Sequence, residues 1–284
     1  MNAGSRSGSR SIGAILVANG RLKSEDATRI VVRQQQNRQQ FGTAAIAMKL
    51  LTRDDIDFAL AQQFEYAYLS HQDTSLSPEL VAAYQPFSRV GENLRALRSQ
   101  LMLRWFNADS SRRVLAIVSP GKREGRSFIA ANLAIVFAQQ GQRTLLIDGN
   151  LRTARQQVLF QLGKCAGLSD ILAGRADLSA AVPVAGLPGL VVLPTGTLPP
   201  NPQELLGRMA FASLLHIAAR EFDVILIDTP SAGDFADAEI IASRAGAALM
   251  LARKNCSLLP EASLLSERLQ GSGVTMVGSI LNDA

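Results

Sequence analysis

Short, continuous apolar runs separated by longer stretches of helical periodicity dominate the chain from residue 90 onward. Val114 to Val118 is one such run, and Pro120 with Gly121 ends it. Beyond Gly125-Arg126-Ser127, Ile129, Leu133, Val136 and Phe137 recur at the spacing of a buried helix face. Thr144-Leu-Leu-Ile-Asp148 and Phe222-Asp-Val-Ile-Leu-Ile-Asp228 are further apolar strands, each closing on an aspartate. Val191 to Leu193 is a strand before a Pro/Gly turn, and a helix capped near Asn201 is expected to run to about Glu221. Strands at Ala247 to Ala252 and Thr275 to Leu281 flank a helix from Glu261 to Leu269. Strands alternating with helices predict an α/β fold, a doubly wound and mostly parallel sheet.

The earlier part of the chain has a different rhythm. A shift of 29 positions pairs Ile12-Gly13 with Phe41-Gly42, Val17 with Ile46, Leu22 with Leu51, Asp26 with Asp55 and Gln34 with Gln63. Each unit reads as a short apolar helix, a break, a charged N-cap region and a longer amphipathic helix. A small helical domain over residues 12–72 is therefore expected, after a Ser/Gly/Arg-rich disordered tail at 1–11. Residues 73–88 are polar with two prolines and read as a solvated linker, leaving 89–284 as the α/β domain. Val90 to Trp105 is read as a helix carrying Glu92, Arg95 and Arg98 on one face.

Composition narrows the picture only a little. At 284 residues and 47% hydrophobic content the chain can bury a sizeable core. No stretch approaches the ~20 apolar residues of a membrane helix, and the N-terminus lacks the apolar core of a secretory signal. Two cysteines, Cys165 and Cys256, are too few for a disulfide framework and fit a reducing cytosol. The net charge of +5 contains no dense Lys/Arg block, so nucleic acid is not an expected partner.

The chemistry is expected at the strand ends. Gly121-Lys122-Arg123-Glu124-Gly125-Arg126-Ser127-Phe128 joins a strand to a helix, the setting in which backbone N–H groups and a helix N-terminus cradle phosphate. The spacing approaches G-x-x-x-x-G-K-[ST], with Pro120 at the first glycine and Arg126 at the lysine. Ser127 is placed to ligate Mg²⁺. In a parallel sheet Asp148 and Asp228 would converge on that same ion. Taken singly, each aspartate could merely start a turn. His216, amid Leu214, Leu215 and Ile217, reads as structural.

Assembled in order, Glu92-x-x-Arg95-x-x-Arg98, the loop, L-I-D-x-x-L-R, L-P-x-G-x-x-P-P-N-P-x-E-L-L and I-D-T-P resemble the bacterial tyrosine kinases of exopolysaccharide synthesis. These are P-loop proteins, and the whole chain is most similar to their chain-length-determinant, EpsG-type branch. The resemblance implies MgATP or MgADP binding at 121–128. It implies Mg²⁺ on Ser127, Asp148 and Asp228, and transfer of the γ-phosphate to tyrosine with Arg126, Asp148 and Asp228 as catalytic residues. It further implies self-association, in a ring or other homo-oligomer, through Glu92, Arg95 and Arg98. A separate inner-membrane chain-length protein would hold the chain at the cytoplasmic face. Residues 12–69 resemble the N-terminal domain of type II secretion and pilus-extension ATPases, which in some members binds cyclic di-GMP. Ser11 and Gln40 stand where that motif has arginine.

The family pattern is broken at three places: Arg126, Asn150 in place of the second aspartate of D-x-D, and the tyrosines. Only Tyr66, Tyr68 and Tyr84 occur, all ahead of the nucleotide domain, which makes Tyr84 in the expected linker the candidate phosphosite. A second reading stays open, a nucleotide-dependent assembly scaffold with little kinase activity. A third, a partitioning or septum-placement ATPase, is opposed by Gly121, which stands where those proteins carry a second lysine.

Overall fold

A computed structural model describes residues 11–63, 67, 69 and 73–283. The chain divides into two compact units, residues 1–70 and 71–284. In the first, α1 (Ile12–Ala18), α2 (Ser24–Asn37), α3 (Phe41–Ala47) and α4 (Arg53–Gln63) follow the repeat: α3 and α4 start 29 residues after α1 and α2. The core obeys the same shift. Buried Ile15, Leu16, Leu22 and Ile30 correspond to buried Ala44, Ala45, Leu51 and Ala59. Where one repeat supplies a large side chain the other mostly supplies alanine, so the two can pack closely. Thr52 and Asp55 cap α4 reciprocally, with Asp55 N–H donating to Thr52 Oγ1 (3.2 Å) and Thr52 N–H to Asp55 Oδ2 (3.0 Å).

The second unit is a seven-stranded sheet in the order β3-β4-β2-β5-β1-β6-β7, parallel except where β3 meets β4. Its strands are β1 (Val114–Val118), β2 (Thr144–Asp148), β3 (Val182–Pro183), β4 (Leu190–Leu193), β5 (Val224–Asp228), β6 (Ala247–Arg253) and β7 (Thr275–Asn282). β2 and β5 are buried at every position, which explains why their sequence is continuously apolar rather than alternating. The helices are α5 (Val81–Tyr84), α6 (Arg89–Leu101), α7 (Arg126–Gln139), α8 (Gln156–Leu159), α9 (Leu168–Leu172), α10 (Pro202–Gly207), α11 (Met209–Glu221), α12 (Asp237–Ala245) and α13 (Leu259–Gly271). α7 is buried from Ile129 through Ala138. Each of Leu133, Ile135 and Phe137 contributes roughly 1.5–3 kcal/mol of burial.

Three expectations need correction. The helix expected to continue to Trp105 gives way to a widened π turn at Met102–Phe106, where Trp105 Nε1 donates to the Val114 carbonyl (3.1 Å). The single helix expected after Asn201 is two, because Arg208 is extended (φ −66°, ψ 150°) just past Gly207.

The third correction concerns the linker. Leu76, Leu80, Ala82, Ala83 and Tyr84 are buried, and the segment is strapped across α7 and α8. Asn132, fully buried on α7, accepts from Ala82 N–H (2.8 Å) and donates to the Glu79 carbonyl (3.1 Å). Gln139 donates to the Ala82 carbonyl (2.9 Å), and Ser77 N–H to the Leu159 carbonyl (2.9 Å). Leu76 N–H donates to Tyr84 Oη (3.1 Å), which donates in turn to the Leu76 carbonyl (3.0 Å). Polar side chains made this stretch look solvated, but its backbone finds its partners inside the second unit. Tyr84 is therefore not the solvated acceptor expected of it. Tyr66 and Tyr68 lie outside the described residues.

Candidate active site

The loop after β1 is shaped by glycine where the backbone demands it. Gly125 has φ +100°, and a Cβ there would lie 2.5 Å from Asn282 Nδ2. Pro120 replaces a glycine at no cost in donors, because the loop uses only its carbonyl, which accepts from Gly233 N–H (2.9 Å). Glu124 is buried, takes the Gly121 N–H (2.8 Å) on its carboxylate and meets the Ser257 hydroxyl. Lys122 reaches outward to Asp234 (3.2 Å), Arg123 is exposed, and Phe128 is half-buried on the first turn of α7. Gly125, the N-cap of α7, brings no side-chain cap to the N–H groups of that turn, and free N–H groups at a helix start are the kind of feature that attracts anions.

Arg126 is folded back over the loop. Its Nε donates to the Thr229 carbonyl (3.0 Å) and its Nη1 to the Gly121 carbonyl (2.5 Å) and the Ser119 hydroxyl. Burial pulls its pKa below the ordinary guanidinium value, against the opposing pull of Asp228, Glu124 and Asp234. A planar fork suits three acceptors held at fixed angles, which a lysine ammonium would satisfy less well.

Asp148 and Asp228 face each other in register at the ends of β2 and β5, both fully buried. Asp148 accepts from the N–H groups of Asn150 (3.2 Å), Arg155 (3.0 Å) and Gln156 (2.9 Å). Burial first and the Asp228 charge second push Asp148 up to about 7, the three N–H groups opposing them. Asp228 is also raised, chiefly by burial. The side chains of Ser127 and Gln156, the Arg126 charge and the Thr229 backbone pull it back down.

Gln156, which the sequence did not single out, joins the three expected metal residues. Its Nε2 donates to Asp228 Oδ2 (2.8 Å) and to the Ser127 carbonyl (3.1 Å), while its backbone holds Asp148. Its signal in the sequence was faint: a polar residue eight positions after Asp148, just ahead of Val158-Leu159-Phe160. Asn150, in place of a second aspartate, caps its own turn by accepting from Arg152 N–H (3.3 Å) and Thr153 N–H (3.1 Å). Arg152, the last residue of that motif, grips buried Asp237 with two bonds (2.8 and 3.1 Å) and stacks on Phe235.

These residues fit a divalent cation. Asp228 Oδ1 and Gln156 Oε1 are buried acceptors with no hydrogen-bond donor. Among the described residues no cluster of three or more His, Cys, Asp or Glu could hold a metal by itself. A cation here would take its remaining ligands from Ser127, phosphate and water, which is how Mg²⁺ is commonly bound.

The helix α6 does not present a simple charged stripe. Glu92 is exposed, but Arg95 bonds the Pro86 carbonyl and Glu92 (2.6 Å), and Arg98 donates to the Val136 carbonyl on α7 (3.0 Å). Both arginines thus spend contacts within the subunit.

No protein-family model matches the chain. CapB of Staphylococcus aureus is 30% identical over 222 residues, covering 75% of this chain and 92% of CapB. The tyrosine-protein kinase Wzc of Salmonella typhimurium is 35% identical over 204 residues, 72% of this chain. The chain belongs to the bacterial tyrosine kinases. The kinase domain of Escherichia coli tyrosine kinase Etk superposes on it with a TM-score of 0.70 at 31% identity, over 77% of this chain and 89% of that domain. The chain spans 28% of the length of Wzc. The family's P-loop fold accounts for the parallel sheet and for the strand ends at which Asp148 and Asp228 meet.

In the first unit a cavity of about 820 Å³ lies among Ile12, Val17, Val31 and Phe41, with Ser11 at its edge, and among the described residues its lining carries no charged side chain.

Proposed function

We propose that the chain is the ATP-binding tyrosine kinase subunit of an exopolysaccharide export system, transferring the γ-phosphate of MgATP to protein tyrosine. The observation that carries this reading is the in-register pair Asp148 and Asp228 beside the helix N-terminus at Gly125-Arg126-Ser127. The N–H groups of residues 121–128 would bind the phosphates, and Ser127, Asp148 and Asp228 would hold Mg²⁺. The bound cation would neutralise charge on the transferring phosphoryl group. Asp148, raised to about 7, is a group able to hold a proton at a carboxylate oxygen near neutral pH. Arg126 would have to release at least one loop carbonyl to reach a phosphate.

Among the described residues no helix is long and apolar enough to cross a membrane. We place the chain at the cytoplasmic face of the inner membrane, held and activated by a separate chain-length protein, and self-associating through the exposed Glu92 end of α6. Its role there would be control of polysaccharide chain length. Two observations favour the scaffold as a second reading: Arg126 is committed to the loop, and Tyr84 is buried. Incubation of the purified chain with γ-labelled ATP, with and without the cytoplasmic tail of a candidate membrane partner, separates the two. A kinase labels tyrosine on the chain or the partner, and Asp148→Asn abolishes the label. Nucleotide binding without any phosphotyrosine supports the scaffold.

A further inference from the structure

The orientation of the Gln156 amide leaves one of its atoms unexplained. Gln156 is fully buried at the start of α8, and both neighbours of its Nε2 are acceptors, Asp228 Oδ2 at 2.8 Å and the Ser127 carbonyl at 3.1 Å. That pairing fixes the nitrogen, so the oxygen is the atom left over, and it has no donor. Asp228 Oδ1, on the carboxylate that the same amide holds, has none either. The chain is not short of donors nearby, since it gives Asp148 three backbone N–H groups. A buried acceptor left unmatched loses its hydration with nothing in return, and here two occur side by side on hydrogen-bonded residues.

We infer that Gln156 is a positioning residue for the hydrated cation, its Oε1 accepting a hydrogen bond from a water that the cation carries. The inference rests on the MgATP reading above and adds to Ser127, Asp148 and Asp228 a fourth residue with a distinct task. Mg²⁺ gives up its waters reluctantly and keeps several of them in protein sites, and each is an O–H donor. A neutral amide can anchor such a water without adding a third negative charge to the Asp148–Asp228 pair. The same side chain ties the water's position to the Asp228 carboxylate and to the backbone of Ser127. Loop, metal and strand end are thereby held by one residue.

The test is calorimetric titration of ADP into the wild type and the near-isosteric Gln156→Met, in saturating Mg²⁺ and in EDTA, with thermal midpoints recorded for both. The expected result is an EDTA affinity within about twofold of wild type. The Mg²⁺ concentration giving half the metal-dependent gain should rise about tenfold or more, the usual cost of losing an outer-shell partner. An undiminished Mg²⁺ dependence in a folded Gln156→Met overturns the inference, leaving an ordinary internal water or none. Equal losses with and without Mg²⁺ overturn it too, because they mark a purely structural role. Absence of any Mg²⁺-dependent gain in the wild type would instead refute the metal–nucleotide reading itself. Should the variant fail to fold, the crystal structure of the wild-type MgADP complex decides. A metal-bound water within about 3.2 Å of Oε1 supports the inference, and an Oε1 without one overturns it.

Discussion

Replacing Asn132 with alanine should unfasten the strap formed by residues 76–84. The side chain gives that segment two hydrogen bonds, from Ala82 N–H at 2.8 Å and to the Glu79 carbonyl at 3.1 Å. Ala82 is fully buried, so its N–H is left without water as a substitute and costs about 1–3 kcal/mol. Glu79 is exposed, and water can replace most of its bond. A third bond, to the Phe128 carbonyl on the same helix, adds little to the strap. The sum is a loss of about 2–3 kcal/mol from the second unit, or roughly 5–10 °C in its thermal midpoint. The chain's single tryptophan, Trp105, is buried in that unit, so fluorescence follows its unfolding whatever the first unit does. Tyr84→Phe strands the N–H and carbonyl of Leu76 in the same segment and should cost about 1–2 kcal/mol by the same assay. If both variants unfold within about 0.5 kcal/mol of wild type, the range of an ordinary surface substitution, the segment is a solvated linker and the strap is wrong.

Asp148 makes the metal-free protein pH-sensitive. Its folded pKa, about 7, stands above the ordinary value of 3.8, so the stability present below pH 3.8 is lost as pH rises toward 7 and then levels off. Thermal midpoints in EDTA should fall between pH 5 and 7, and less steeply in Asp148→Asn; an identical slope in the variant would contradict the assignment. Gly167→Ala should abolish soluble folding or cost more than about 3 kcal/mol, since its Cβ would stand 2.1 Å from the Pro194 carbonyl oxygen and 2.4 Å from Gly196 N. A midpoint near wild type would show that this backbone is freer to move than its packing implies.

The elements most legible in the sequence were those whose pattern has a single physical cause. β2 and β5 read as buried strands because both of their faces are covered, and Asp148 and Asp228 stood out as polar residues at the ends of apolar runs. The 29-residue repeat held through both helix starts and core positions. Where the structure departs from the sequence pattern the cause is different: backbone partners are invisible in composition. Residues 76–84 are polar by side chain, yet Asn132 and Gln139, about 50 positions away, bond their backbone. Gln156, with its side chain on Asp228 and its backbone N–H on Asp148, is defined by the meeting of β2 and β5, not by any local spacing. Arg95 and Arg98 fit a helical stripe, but side chains long enough to reach Pro86 and Val136 need not point where the stripe does.

The central claim is that Ser127, Asp148 and Asp228 form one metal-dependent nucleotide site. Calorimetry of ADP binding to wild type and Ser127→Ala, each with millimolar Mg²⁺ and with EDTA, asks this directly. The hydroxyl would supply a ligand and no net charge, so the expected result is Mg²⁺-enhanced binding in the wild type. Ser127→Ala should keep the EDTA affinity and lose most of the enhancement. Binding in the wild type that ignores Mg²⁺, or no binding at all, would contradict it.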